Sequence, residues 1–485
     1  MGTNEKLYIN GIDGVTGEYL VPPLEYNQAA ALIKGETRDP ALLRWLSSMW
    51  RIISQPNLGL PFNVDPTDVR QAGWAVVFHT GEDEAVKQAL APLIEHRKHQ
   101  INNDTKCKVL AYREGESRAD FLARYEIGAG SVEPTKVPFY LLLVGSPERI
   151  PFSFGHLLSV EYTVGRLHFD TAAEYTNYVA SLIDYETSHI VPNAKEVVFF
   201  ATRHPFDRAT QLSADLLVNP LADGVPATGP QLVQPGVAEQ WGFRMRKFWG
   251  QTATKKTFVE ILTPGEGARP PAFLFTASHG MGWPRGHANQ RAAQGALLCQ
   301  DWPGLGTISR DHYFAASDVP TAGRVHGMIT FHFACYGVGT PSHDRFIHKR
   351  GESPPAIADQ PFIAALPKTL LTHPQGGALA CIGHVERAWG YSITTPKAGP
   401  QLLPFQNAIG RILVGQPVGY YVMKDFYEKY AALSTSLSSL LEELTYNPNA
   451  ASDEQLAANW IERNDAEGYT ILGDPSAHLR VSDLQ

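Results

Sequence analysis

From about residue 74 onward, short apolar runs alternate with amphipathic helical stretches, and this alternation constrains the fold more than any other feature of the chain. The runs are "WAVVFH" (74–79), "KVLAYR" (108–113), "FYLLLVG" (139–145), "EVVFFATR" (196–203), "AFLFTASHG" (272–280), "GMITFHFACYG" (327–337) and "GALACIGH" (377–384). Helical periodicity lies between them, as in "EAVKQALAPLIEHRKHQ" and "TAAEYTNYVASLIDYE" (171–186), and over a long region from about Phe405 to Leu444. Continuous rather than alternating apolar strands separated by helices imply βαβ units and a mostly parallel sheet covered on both faces. The expected class is α/β, with a last strand in "YTILGDPSAHLRV".

Pro and Gly cluster in "LTPGEGARPPA" (262–272), which divides the alternation into two halves. The first 70 residues are rich in Pro, Gly and Asn, with one helical stretch in "DPALLRWLSSMWRII". The expected organisation is an N-terminal elaboration (1–70), a first α/β subdomain (71–265) and a second (266–485).

Composition excludes several classes of function. A net charge of -8 over 485 residues, with Lys and Arg scattered, gives no basic stripe for nucleic acid. No apolar stretch approaches the roughly 18 residues that span a bilayer. "MGTNEKLYINGIDG" lacks the pattern of a signal peptide, and four cysteines with no CxxC pair do not read as a disulfide framework, so the expectation is a soluble cytoplasmic protein. No phosphate-cradling GxGxxG or GxxxxGK[ST] loop is present, and no cofactor is expected.

Chemistry gathers at the carboxyl ends of strands in open α/β sheets. "FLFTASHG" ends in His279-Gly280 and "ITFHFACYG" in Cys335-Tyr336-Gly337, 56 residues further on. On neighbouring strands these would put an imidazole beside a thiol, as a thiolate nucleophile with a general acid/base requires. Gly280 lacks a Cβ, so its N–H could approach a bound carbonyl, and with the N–H of Cys335 it forms a candidate oxyanion hole. An activated thiol would alkylate faster than Cys107, Cys299 and Cys381, which read as ordinary thiols. His332 precedes Cys335 by three strand positions and is expected on the opposite face, as a packing residue. Histidines are frequent between 279 and 348, but without HExxH or paired CxxC spacing, so no metal site is assigned. Asp474, in "GDPS", reads as a turn residue.

The Ala334-Cys335-x-Gly337 core, with a histidine upstream, resembles the caspase-like cysteine peptidases. Three further stretches are most similar to the gingipain type, with bacterial CHAT-domain proteases as relatives: "LLLVGSPERIP" with "VGRLHFDTAAEYTNYVASLIDYE", carrying a Gly-Arg turn; "GGALACIGHVERAWGYS"; and "GYTILGDPSAHLRV". The resemblance covers most of residues 70–485. It implies a caspase-like, gingipain-like three-layer sandwich of two side-by-side α/β subdomains with mostly parallel sheets and the catalytic dyad in the second. It further implies His279 and Cys335 as that dyad, Gly280 as an oxyanion donor, and Trp389, with Glu386 and Arg387 in the same loop, as walls of the primary specificity pocket. Between His279 and Cys335 the chain departs from gingipains by the insertion "WPRGHANQRAAQGALLCQDWPG".

The function expected is a cysteine endopeptidase acting on protein or peptide substrates by acyl transfer, in a regulated processing or defence role and with room for an activating protein partner. The rival expectation is a catalytically silent relative serving as an interaction scaffold.

Overall fold

The computed structural model describes residues 6–36, 59–128, 130–225, 234–344, 353–389, 393–395 and 399–485. Ten strands form one sheet: β1 (Trp74–His79), β2 (Cys107–Tyr112), β3 (Tyr140–Val144), β4 (Thr163–Leu167), β5 (Ala194–Ala201), β6 (Arg244–Trp249), β7 (Pro271–Ala277), β8 (Ile329–Phe333), β9 (Ala380–His384) and β10 (Tyr469–Gly473). Their spatial order is β2-β1-β3-β4-β10-β9-β8-β7-β5-β6. Pairings from β2 to β4 and from β9 to β6 are parallel, while β9 and β10 run antiparallel. The α/β class read from the sequence is the class observed.

Interior strands such as β1, β3, β7 and β8 are buried at every position, which is why they read as unbroken apolar runs. The edge strands differ. Cys107–Tyr112 is only intermittently buried, and Arg244–Trp249, with Arg244, Arg246 and Lys247, is polar enough to escape a search for apolar runs.

Helices cover both faces. On β8, Phe331 packs against Phe405 and Phe426, from helices Leu403–Leu413 and Val418–Glu443, at centroid distances of 6.0 and 6.2 Å. Thr330 and His332 point the other way, as does Cys381 beside Thr330, whose thiol meets the Pro367 carbonyl of helix Ala365–Leu371. The expected long helix is two helices. Gly415, at φ 81°, and Pro417 break it, the first by adopting left-handed backbone and the second by lacking an N–H. A further helix, Asp453–Gly468, leads into β10 and has no counterpart in the sequence reading.

The sheet adds detail to the expected organisation, and one expectation needs correction. β5 and β6, which precede residue 265, pair onto β7 and lie in the part of the sheet that carries Cys335. The two halves are one continuous sheet, with β10 joining β4 at Leu472 and Arg166. Gly165-Arg166 is no turn; both residues lie within β4, where a Cβ on Gly165 would meet the Gly473 carbonyl oxygen at 2.3 Å. The helical stretch expected at 39–53 lies outside the described residues.

Beyond the ends of β7, β8 and β9 sits a second, five-stranded sheet, in the order Tyr313–Phe314, Leu297–Leu298, Gly280–Gly282, Ile9–Asp13, Ala388–Trp389. The insertion after His279 supplies one of its strands. Ile12, Met281, Trp283, Leu298, Trp302 and Tyr313 form its own apolar core. No helix among the described residues is long and apolar enough to cross a membrane.

Candidate active site

Strand pairing decides which side chains meet at the rim. β5 and β7 are neighbours, in register at Ala201 and Ala277, so the segments that follow them leave the sheet together. The first carries Asp207, the N-cap of helix Arg208–Leu212, whose carboxylate accepts the N–H groups of Ala209 and Thr210 at 3.3 and 3.2 Å. The second carries His279. The two side chains are fully buried and joined by a 2.7 Å contact from His279 Nε2 to Asp207 Oδ2. The Tyr19 hydroxyl donates to the other carboxylate oxygen, and its ring stands edge-on to the imidazole at 5.7 Å.

Burial raises the Asp207 pKa, but the His279 charge and the hydrogen bonds from His279, Tyr19 and Thr210 outweigh it and hold the carboxyl well below the usual range. An ionised carboxylate only accepts hydrogen bonds, so Nε2 must carry the proton. In the neutral form of such a ring the lone pair lies on Nδ1, and this atom is buried and meets no hydrogen-bond partner among the described residues. A base with one nitrogen oriented and the other available is the usual arrangement of a catalytic imidazole.

Cys335 lies two residues beyond β8, in a turn where Tyr336 takes a left-handed φ of 56°, strained backbone for a bulky side chain. Gly280 packs directly on this turn, since a Cβ there would meet the Cys335 carbonyl oxygen at 1.8 Å. Only glycine allows the His279-Gly280 segment to pass so close. The Cys335 Sγ accepts the Ala388 N–H at 3.2 Å, and the thiol is fully buried. Burial pushes its pKa far up, against the smaller opposing effect of the Ala388 N–H. No hydrogen bond joins Cys335 to His279 among the described residues. In this arrangement the sulfur is closed to solvent.

The loop after β9 borders the same turn. The Glu386 carbonyl accepts the Tyr336 N–H at 2.5 Å, and Glu386 itself takes φ 79°. Arg387 is buried and forked onto Asp344, with bonds of 2.9 and 2.5 Å. Its guanidinium therefore braces the loop. The backbone of Trp389 pairs with Ile9, and its side chain lies outside the described residues. His332 is a packed core residue, bonded to the hydroxyls of Thr276 and Thr330 at 3.0 Å each, and burial lowers its pKa to about 4. Among the described residues no group of three His, Cys, Asp or Glu side chains could hold a metal ion.

Asp207 and Tyr19 were not singled out from the sequence. A helix N-cap shortly after a buried strand was a usable signal for Asp207; Tyr19 had none, because no periodicity links it to residues 188 positions away.

The chain is similar in fold to the Arg specific cysteine proteinase gingipain R, at 13% identity and a TM-score of 0.45, over 84% of this chain and 79% of that one. A complex of Porphyromonas gingivalis RgpB pro- and mature domains gives 12% identity, a TM-score of 0.43 and coverages of 84% and 80%. No protein-family model and no curated protein matches the chain.

Proposed function

We propose that the chain is a cysteine endopeptidase in which Cys335 is the nucleophile and His279 the general acid/base. The observation that carries this is the buried Asp207–His279 pair beside a strand end whose glycine packs on the cysteine turn. Cys335 would attack the peptide carbonyl, with its proton passing to His279 Nδ1. That proton would go on to the leaving amine, and the same nitrogen would then activate the water that releases the acyl group. The N–H groups of Gly280 and Cys335 would hold the tetrahedral oxyanion. Asp207 orients the ring and stabilises its charged form, and the Glu386–Trp389 loop flanks the substrate. A regulated processing or defence role, with an activating partner, remains part of this proposal.

The scaffold reading draws on one specific observation, the complete burial of Cys335. The two separate in one experiment. A denatured proteome-derived peptide library is incubated with the wild type and with Cys335→Ala, and new termini are read by mass spectrometry. Cleavage lost in the variant supports the peptidase and gives its site preference; no cleavage by the wild type, with or without residues 1–24, supports the scaffold.

A further inference from the structure

The chain's own N-terminal segment lies over Cys335. Ile9–Asp13 lies as a strand between two edges, parallel to Gly280–Gly282 on one side and antiparallel to Ala388–Trp389 on the other. The first edge begins at the residue after His279, and the second contains the N–H bonded to the Cys335 sulfur. Gly11 sits over the thiol, where a Cβ would stand 3.1 Å from Sγ. The chain then turns: Asp13 Oδ1 accepts the N–H groups of Val15 and Thr16 at 2.8 Å each, and Gly17 takes φ 69°. On the return Leu20 donates its N–H to the Gly11 carbonyl at 2.9 Å, and Leu7 and Leu24 bond to each other at 2.7 and 3.1 Å. The returning arm carries Tyr19 to Asp207 and His279. One hairpin thus covers all three groups of the site.

Adding a strand to exposed edges is a common way for a protein to bind a peptide, because the main chain supplies affinity whatever the side chains. We propose that the cleft between Gly280–Gly282 and Ala388–Trp389 is a two-edged slot for an extended peptide, and that residues 7–24 fill it in the resting chain as an internal pseudo-substrate. The protein is then latent until this hairpin is displaced. An incoming peptide runs in the direction of Ile9 to Asp13 and presents the bonds flanking the Gly11 position to the thiol. The hairpin's fit is imperfect, as suits an occupant that leaves: the Asn10 carboxamide is fully buried, with neither its oxygen nor its nitrogen hydrogen-bonded among the described residues. The catalytic meaning of the slot rests on the peptidase proposal; its occupancy does not.

The test is the rate at which iodoacetamide alkylates Cys335 in the whole protein, followed by peptide mapping. Two altered chains are compared with the wild type. Gly11→Phe cannot seat, since a Cβ would already lie 2.5 Å from Leu20 and 3.1 Å from the sulfur. The second carries a site for a sequence-specific protease inserted between Val15 and Thr16, in the exposed turn, and is cut after folding, so the result does not depend on a variant that must fold without its strand. Alkylation should rise at least tenfold in both, with circular dichroism unchanged, and a synthetic peptide spanning residues 6–17 should slow it again. An unchanged rate in both overturns the proposal. A fast thiol in a chain that cleaves nothing leaves the occluding hairpin standing and removes the peptidase, whereas a wild type that cleaves as fast as the opened forms removes latency and leaves the peptidase.

Discussion

Two of the molecule's buried charged clusters, one in each half of the sheet, differ in how their hydrogen-bonding groups are used. In the first half Arg97 is fully enclosed between Glu186 and Asp474, forked onto Glu186 at 2.6 and 2.7 Å and bonded to Asp474 at 3.1 Å. Asp474 also accepts from the Trp74 indole at 3.2 Å and from the Ser476 N–H and hydroxyl at 2.8 and 2.7 Å. It is a buried anchor between the closing segment and β1, well beyond the turn residue expected from "GDPS". In the second half the Asp207–His279 pair is equally enclosed, yet His279 Nδ1 meets no hydrogen-bond partner among the described residues. Removing one partner of a saturated buried pair leaves an uncompensated charge, whereas a buried pair with an unused nitrogen is a candidate for chemistry. Burial alone does not distinguish them.

The strongest test of this contrast is catalytic. Once the N-terminal hairpin is removed, Cys335→Ala should lower kcat/KM for a cleaved peptide by about 10⁴-fold or more, measured with a fluorogenic substrate chosen from the library. Next, Asp207→Asn should lower kcat by roughly 10³-fold with a small change in KM and melting temperature, because the amide can impose the wrong tautomer on His279. A collapse in melting temperature instead would make Asp207 a structural group like Asp474.

The opposite pattern is expected in the first half. Glu186→Gln leaves Arg97 with one charged partner and should destabilise the fold by about 3 kcal/mol or more, read from denaturant midpoints, with kcat per folded molecule unchanged. The same residue sets an acid limb. Burial raises the Glu186 carboxyl, but Arg97 and His96 pull it down further, from 4.5 to about 2. A carboxyl lowered on folding stabilises above its ordinary pKa, and that contribution is lost as pH falls from about 4.5 through about 2, at most about 3 kcal/mol in all. Glu186→Gln should flatten this slope in urea melts between pH 5 and 2. The smallest effect concerns thiols: burial raises Cys107 to about 11 and Cys381 to about 12, so Cys107 should alkylate first in the resting chain, ahead of both Cys381 and Cys335.

How much of this was legible varies by residue type. Strands buried on both faces announce themselves as apolar runs, and their ends drew attention to His279-Gly280 and Cys335. The edge strand Arg244–Trp249 was illegible because its faces are wet, and Thr163–Leu167 because a buried arginine and a glycine interrupt it. Arg387 shows the limit for a single loop residue: its place in the loop near the site came with the gingipain resemblance, but its bond to Asp344, 43 residues away, did not.

The sequence by itself determined the α/β class, the alternation of elements and the two strand ends that carry the thiol and the imidazole, because each depends on local pattern and on the rule that strand ends gather at a rim. Only the tertiary structure decided that β5 neighbours β7, which delivers Asp207 to His279, and that residues 9–13 enter the gap between two distant strand edges. Both depend on pairing between segments far apart in the chain, where main-chain hydrogen bonds carry the contact and leave little trace in side-chain identity.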